Sequence, residues 1–584
     1  MGNVTIRING YEYSMKKGIT ILDASFETMK FKREFLNQPI PTLYYLKGVM
    51  DIDESGVCVA EANGEIVNAS TTRIQDGMEI QTRTPAVIAA RKEALAKILA
   101  QHNKSCLTCL RSTSCELQEL LHEYGFTDEP ELPEEKIELL DLSSKVLVRD
   151  NNKCIRCKRC INVCAKMQAV SAIAATGSGL DTVIAPASPA GLAAANCVNC
   201  GQCVAVCPVG ALTEKDQTEE VKKALEDPDK YVVVQVAPAV RAALGEDFEF
   251  PIGVDVEGRI AEALHRMGFD KVYDTKFGAD LTIMEEGNEL VNRIQNDGVL
   301  PMITSCCPGW VKYAEHFYPD MLENISTCKS PHQMQGAIVK SYIAQKEGIP
   351  KEKIVMVSVM PCTAKKFEIT RDDEAGAGLP DVDIVITTNE LAKLLKDAEI
   401  QLEAMNPVSK FDSPLGLGSG AAVIFGASGG VMEAALRTVA SVVLNGKGTP
   451  PLEFTAVRGM NGIKEASVDL GGRKVNVAVT SGLANANALL TKIKSGEADY
   501  QFVEIMACPG GCVNGGGQPH QPAAVRAMKN VPEERAAALY RNDESNDLRQ
   551  SHENPEIKAL YKDYLDKPGS AKAHELLHTT YVVR

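Results

Sequence analysis

No run of roughly 18 or more uninterrupted apolar residues occurs in the 584-residue chain, so no segment reads as a bilayer-spanning helix. The start, MGNVTIRINGYEYS, alternates polar and apolar residues like a hairpin and lacks the apolar core of an export signal, which sets the expectation of a cytoplasmic chain. Gly2 would suit myristoylation only with Ser or Thr at the sixth position, and Ile6 stands there. Basic residues are in the minority: 62 Lys and Arg against 77 Asp and Glu give a net charge of -15. Nucleic acid needs clustered Lys and Arg, so that class of partner is excluded. The glycines at Gly416, Gly418, Gly420, Gly426, Gly429 and Gly430 do not give G-x-G-x-x-G, which argues against direct NAD(P) use by this chain. There is no regular repeat and no low-complexity tract.

What the chain has in quantity is cysteine, 18 in all. The cytosol keeps thiols reduced, so metal ligation or catalysis explains them better than disulfides. The length exceeds a single core, and about one domain per ~150 residues suggests roughly four. Residues 1–84 carry short strand-like pieces (VTIRI, YEYS, GEIV, MEIQT) around one helical stretch, which predicts a β-grasp-like module. From Val87 to Gln101 apolar positions recur at helical spacing and deliver His102 to the first cysteine group, within a segment placed at 85–140. An acidic stretch, Asp128 to Glu138, reads as a linker, and a cysteine-rich α+β unit is expected over 141–215. Beyond residue 216 apolar runs alternate with helical segments. Five of the runs, YVVVQVAP, PMITSCC, KIVMVSVMPC, DIVITT and YQFVEIMAC, suit buried parallel strands, and three end in cysteine. Ligands of open α/β sheets bind beyond the carboxyl ends of the strands, so an α/β domain over 216–584 with its site between sheets or lobes is expected.

Cys154, Cys157, Cys160 and Cys164 follow C-x2-C-x2-C-x3-C, and Cys197, Cys200, Cys203 and Cys207 repeat it, with Pro208 next; Ala165 stands where the first run would carry proline. This is the spacing of a two-cluster ferredoxin, in which the fourth cysteine of each run ligates the other cubane. The expected sets are therefore Cys154, Cys157, Cys160, Cys207 and Cys197, Cys200, Cys203, Cys164. Zinc would also accept four thiolates, but zinc ribbons pair two C-x2-C knuckles instead. His102, Cys106, Cys109 and Cys115 form a further group whose spacing alone leaves a Cys3His zinc site open.

Three further segments, TSCCPGW (304–310), MPCTAKKFE (360–368) and EIMACPGGCVNGGGQP (504–519), closely resemble the signature motifs of the iron-only (FeFe) hydrogenases, and with the preceding modules the resemblance covers essentially the whole chain. It implies a two-lobed catalytic domain and reversible oxidation of dihydrogen at an H-cluster, a 4Fe-4S unit joined to a diiron unit with CO, cyanide and dithiolate amine ligands. Cys307, Cys362, Cys508 and Cys512 would hold the 4Fe-4S part, with Cys512 bridging. Lys365 would pair with a cyanide, Met360 and Met506 would flank the diiron unit, and Ala237 and Pro238 would contact the other cyanide. Otherwise these are a surface lysine and gap-filling core methionines. The glycines 510–511 and 515–517 are expected to let backbone approach the cofactor. The resemblance also makes the His102 group a third accessory 4Fe-4S site, where His102 would otherwise only favour a helix end.

Splitting dihydrogen in a dry site requires a base and a proton relay. Glu286 and Glu289 are three apart on a predicted helix, with Arg293 four beyond, so they share a face as an ordinary Glu–Arg pair would. The family relay matches Cys306, Glu286, Ser326, Glu289 and Arg293 in that order. Electrons would leave through the ferredoxin block and the His102 group. In larger relatives the N-terminal module holds a 2Fe-2S cluster on four cysteines. Here only Cys58 remains, with Tyr44, Ser55 and Ser70 near the other positions, so a 2Fe-2S centre is not expected and the module becomes a docking or structural element. The electron partner is then a ferredoxin or an iron-sulfur subunit, in a formate-dehydrogenase-linked or bifurcating complex, with maturases installing the H-cluster. Two other classes stay open: a hydrogen sensor, for which the tail HELLHTTYVVR is too short a signalling domain, and a non-catalytic iron-sulfur assembly factor. Cys328 is left over and reads as a small buried hydrophobe.

Overall fold

The structure, a computed structural model, describes residues 2–29, 39–126, 140–178, 182–444, 452–470 and 473–584. The acidic stretch Asp128–Glu138 lies outside the described residues.

At the N-terminus, strand Asn3–Ile8 pairs antiparallel with Tyr11–Lys16 across Asn9-Gly10, both at positive φ, a two-residue turn whose twist matches the strands. The same strand runs parallel to Glu79–Gln81, which continues the sheet through Val59–Ala62 to Glu65–Asn68. Alternation places Val4, Ile6 and Ile8 in one core with Ile21, Leu22 and Phe26 of helix Ile21–Thr28, whose start is fixed by a Thr20–Asp23 capping box. Helix Pro85–Leu99 follows, capped by Thr84 and started by proline.

The block that carries the eight ferredoxin-like cysteines is built from strands Leu147–Asp150 and Leu212–Glu214, with Ile173–Thr176 paired to Val183–Pro186. Its two cysteine runs share a backbone path. Arg156 and Asn199, two residues past the first cysteine of each run, and Lys158 and Gly201, four past, all lie at positive φ. These left-handed residues coil each loop tightly enough for three thiols to face one point.

Two four-stranded sheets follow. Lys271–Asp274, Tyr231–Val236, Ile354–Met360 and Ile384–Thr387 form one, all parallel, as their continuous apolar runs require. Met302–Ile303, Phe502–Met506 and Arg473–Ser481 run parallel in the other, with Ile463–Leu470 antiparallel at its edge. Each sheet has its own core. Helix Lys276–Gln295 belongs to both: Phe277 and Leu281 enter the first core, and Ala279, Ile283 and Leu290 the second. It is therefore buried on most sides, and its polar residues sit inside the molecule. Among the described residues no helix is long and apolar enough to cross a membrane.

Candidate active site and cluster sites

The three cysteine motifs leave the carboxyl ends of strands Met302–Ile303, Ile354–Met360 and Phe502–Met506 and meet between the two sheets. Beside them is a cavity of about 70 Å³ lined by Cys306, Cys362 and Cys512, by Ala237, Pro238, Met360 and Met506, and by Lys365. Cys307, Cys362, Cys508 and Cys512 lie close enough to raise one another's pKa, and burial pushes the Cys362 thiol up to about 12. Four crowded thiolates, three of them buried and Cys512 partly so, repel one another and cannot persist without cations. Cluster iron supplies that charge, so the donor set fits the 4Fe-4S part of an H-cluster. The adjoining cavity fits the diiron part chemically, with apolar walls and one ammonium to meet an anionic ligand.

Lys365 Nζ is held by Glu368 (2.9 Å) and by the Cys306 carbonyl (3.1 Å). His332 also binds Glu368. Burial favours a neutral Glu368, but the Lys365 ammonium overrides it and holds the carboxyl well below its usual range. His332 stays neutral, because burial and then Lys365 push its pKa down to about 4. His332 and Glu368 were not singled out from sequence, although Glu368 is the last residue of the second motif and lies one helical turn after Lys365.

A Cβ on Gly516 would strike Gly201 Cα and the Cys200 carbonyl, one on Gly515 the Pro361 carbonyl, and one on Gly511 the Ser428 amide. These glycines let backbone approach backbone, and Gly516 does so against the ferredoxin-like block. Thr363 Oγ1 to the Asn199 carbonyl (2.7 Å) and Gln202 Nε2 to the Asn514 carbonyl (2.8 Å) close the same seam.

From Cys306 a line of polar residues leads outward. Glu286, on helix Lys276–Gln295, is fully buried; neither carboxyl oxygen makes a hydrogen bond of regular geometry, and the Ser326 hydroxyl and Ser305 amide beside it favour its charged form less than burial opposes it. Burial, then the Glu289 charge, pushes this carboxyl up to about 8, so it carries a proton at neutral pH. Ser326 Oγ donates to Glu289 Oε2 at 2.8 Å. Arg293 grips Glu289 Oε1 at 2.6 and 3.0 Å and donates to the Asn324 and Ile325 carbonyls. The C-terminal segment reaches this line too: Tyr581 OH donates to the Ser326 carbonyl, and His578 contacts Thr327.

Two further cavities are walled by thiols. Cys154, Cys157, Cys160 and Cys207 line one, and Cys164, Cys197, Cys200 and Cys203 the other, so the fourth cysteine of each run does cross over. The four thiol groups form a series. Cys200 lies near Cys362 and Cys508, Cys203 near Cys160, and Cys207 near Cys115. At the last, His102 is buried and its Nδ1–H donates to the Lys153 carbonyl at 3.0 Å, which leaves Nε2 as the free ligand atom. A Cβ on Gly210 would clash with Cys109 Sγ, so only glycine leaves it room. Glu116 binds both Arg159 (2.7 Å) and His520 (3.2 Å), tying this segment to the ferredoxin-like block and the catalytic part.

In the N-terminal module the loop around Tyr44, Ser55 and Ser70 closes on a side chain. The buried Asp53 carboxylate accepts from the amides of Leu43, Tyr44 and Tyr45 at 2.7–3.2 Å and from Ser55 N at 2.8 Å and its hydroxyl, while Ser70 Oγ accepts from Asp53 N. Cys58 is fully buried in the adjoining core. Nothing in the sequence reading pointed to Asp53.

Residues 230–516 match the family described as iron only hydrogenase large subunit, C-terminal domain, and 529–584 match iron hydrogenase small subunit. Residues 91–130 match the NADH-ubiquinone oxidoreductase-G iron-sulfur binding region, and 153–211 a 4Fe-4S dicluster domain. The chain is 46% identical to the NADP-reducing hydrogenase subunit HndD of Solidesulfovibrio fructosivorans, covering 100% of each. It is 43% identical to iron hydrogenase 1 of Clostridium pasteurianum, covering 99% of each. A solved structure of an apo [FeFe]-hydrogenase, HydA1 from Chlamydomonas reinhardtii, superposes with a TM-score of 0.55 at 46% identity, covering 62% of this chain and 98% of that one.

Proposed function

Given that the chain belongs to the iron-only (FeFe) hydrogenases, we propose that it interconverts dihydrogen with protons and electrons at the cavity bounded by Cys306, Lys365 and Cys512, as the hydrogen-splitting subunit of a larger assembly. The observation that carries this reading is the convergence of Cys306, Lys365, Met506 and Cys512 on one largely apolar cavity. When bound, the H-cluster supplies heterolytic cleavage of dihydrogen and takes up the electrons.

The chain's own residues do the rest. Cys307, Cys362, Cys508 and Cys512 would hold the cofactor, Ala237, Pro238, Met360 and Met506 wall the cavity with apolar surface, and Lys365, fixed by Glu368, would offer its ammonium to an anionic ligand such as cyanide. Cys306 passes a proton to one oxygen of Glu286 as that carboxyl, held protonated by burial, gives up the proton on its other oxygen toward Ser326. Ser326, Glu289 and Arg293 continue the path toward the surface. Cys200, beside Cys362 and Cys508, starts the electron route, and the His102, Cys106, Cys109, Cys115 group ends it.

The four units at 1–84, 85–140, 141–215 and 216–584 divide this work between docking, two stages of electron transfer and chemistry. The subunit role is supported by the full-length likeness to an NADP-reducing hydrogenase subunit, while this chain has no dinucleotide fingerprint. The nicotinamide or formate site belongs to a partner, and a ferredoxin or iron-sulfur subunit meets the His102 end. The assembly-factor reading is weaker, since the 46% likeness to a hydrogenase subunit runs the full length. Hydrogen evolution by protein coexpressed with maturases, with and without reduced ferredoxin, tests the proposal. Turnover that rises with ferredoxin is expected; a fully loaded protein that releases no hydrogen would leave the sensor reading.

A further inference from the structure

Cys328, which the relay does not use, lies fully buried beside Glu289, with its Sγ 3.8 Å from Oε2. The thiol, the Glu289 carboxylate and the imidazole of His578 bring one ligand atom each within 4.8 Å of one another. Their backbones are pinned together: Cys328 and His578 form an antiparallel bridge, with Lys329 N on the Leu577 carbonyl and Thr579 N on the Thr327 carbonyl, both at 2.8 Å. The imidazole is oriented as a metal ligand would be. Its Nε2 faces Glu285 Oε2 at 3.3 Å, and Glu285 is itself fixed by Tyr561 OH and by Gly569 N. A carboxylate on Nε2–H places the lone pair on Nδ1, which among the described residues meets the Thr327 hydroxyl at 2.7 Å.

We propose that Glu289, Cys328 and His578 form a binding site for a thiophilic divalent cation such as Zn²⁺, and that its occupancy closes the proton path. Sulfur, imidazole and carboxylate are the zinc donor types, and three protein ligands leave a fourth position for water or Thr327. On binding, the Cys328 thiol gives its proton to solvent and a Zn–S bond replaces the S–H bond. Entry is from the surface, where the Glu289 and His578 side chains are 14% and 8% exposed. The blocking effect rests on the relay reading, because a carboxylate held by zinc can no longer exchange a proton with Ser326; the site itself does not depend on it.

The test uses maturase-loaded holoenzyme, in which the cluster cysteines are occupied. One equivalent of Zn²⁺ is added, the protein is desalted, and retained zinc is measured with its K-edge absorption. Expected is zinc retained by the wild type with one sulfur at about 2.3 Å, weakened at least ~10-fold in Cys328→Ser, Cys328→Ala and His578→Gln and in the orienting variant Glu285→Gln. No retention, or equal retention by wild type and both Cys328 and His578 variants, overturns the site. Hydrogen evolution is then followed against zinc. Inhibition of the wild type that Cys328→Ser relieves supports the blocking role, while sulfur-ligated zinc with undiminished turnover keeps the site and overturns the part given to Glu289 in the relay.

Discussion

The catalytic cavity and the loop around Asp53 both bury groups that favour water, and they answer that cost in opposite ways. In the loop each Asp53 oxygen is met by amides or a hydroxyl, so the carboxylate is satisfied by the chain alone. In the cavity the chain leaves its groups poorly answered: four thiols crowd one another, and burial outweighs the Ser326 and Ser305 donors beside the Glu286 carboxyl. A fully partnered buried anion stabilises a fold, and a poorly partnered one waits for a cofactor or a proton. The contrast predicts a clean separation, with cavity substitutions removing turnover and loop substitutions removing stability.

The largest effect is expected at the cavity thiols. Cys512→Ala should abolish hydrogen turnover and remove cavity iron, measured by hydrogen release and iron per chain, and leave the signals of the ferredoxin-like clusters in place. Glu286→Gln should lower turnover by about 10² to 10⁴, the usual worth of a positioned acid or base. Its stability signature is specific. The folded pKa near 8 lies above the ordinary 4.5, so the folded wild type holds an extra proton across that window and loses stability as pH rises through it. Unfolding of the glutamine variant should lack that slope, and wild-type proton delivery should fall as pH rises through about 8.

On the other side of the comparison, Asp53→Ala should open the N-terminal sheet by about 3 kcal/mol in hydrogen exchange, because several buried donors lose their acceptor. Turnover with a chemical reductant should stay within about twofold. A loss of iron in this variant would break the contrast. The smallest effect belongs to Cys58→Ala, about 1 kcal/mol for a small core cavity, with no change in iron content or EPR spectrum.

Much of this was legible in the sequence wherever spacing carries geometry. The x2 cysteine intervals need tight left-handed turns, and Arg156, Lys158, Asn199 and Gly201 provide them. Continuous apolar runs pointed to the parallel strands, since burial on both faces demands them. The hairpin of Ile463–Leu470 and Arg473–Ser481 escaped because half of its first strand faces solvent, so its apolar residues alternate with charged ones. Of PMITSCC only Met302–Ile303 is strand, because the chain then bends to present Cys306 and Cys307. Asp53, His332 and Glu368 were missed because their partners are distant in sequence or are backbone amides, and neither leaves a local pattern.

The central claim is that Cys306 moves protons and does not hold the cofactor. It is tested most directly by hydrogen evolution from fully loaded Cys306→Ala, with its cluster spectra recorded alongside. The account predicts turnover near background with spectra indistinguishable from wild type. Wild-type turnover, or loss of the H-cluster signals together with activity, would contradict it.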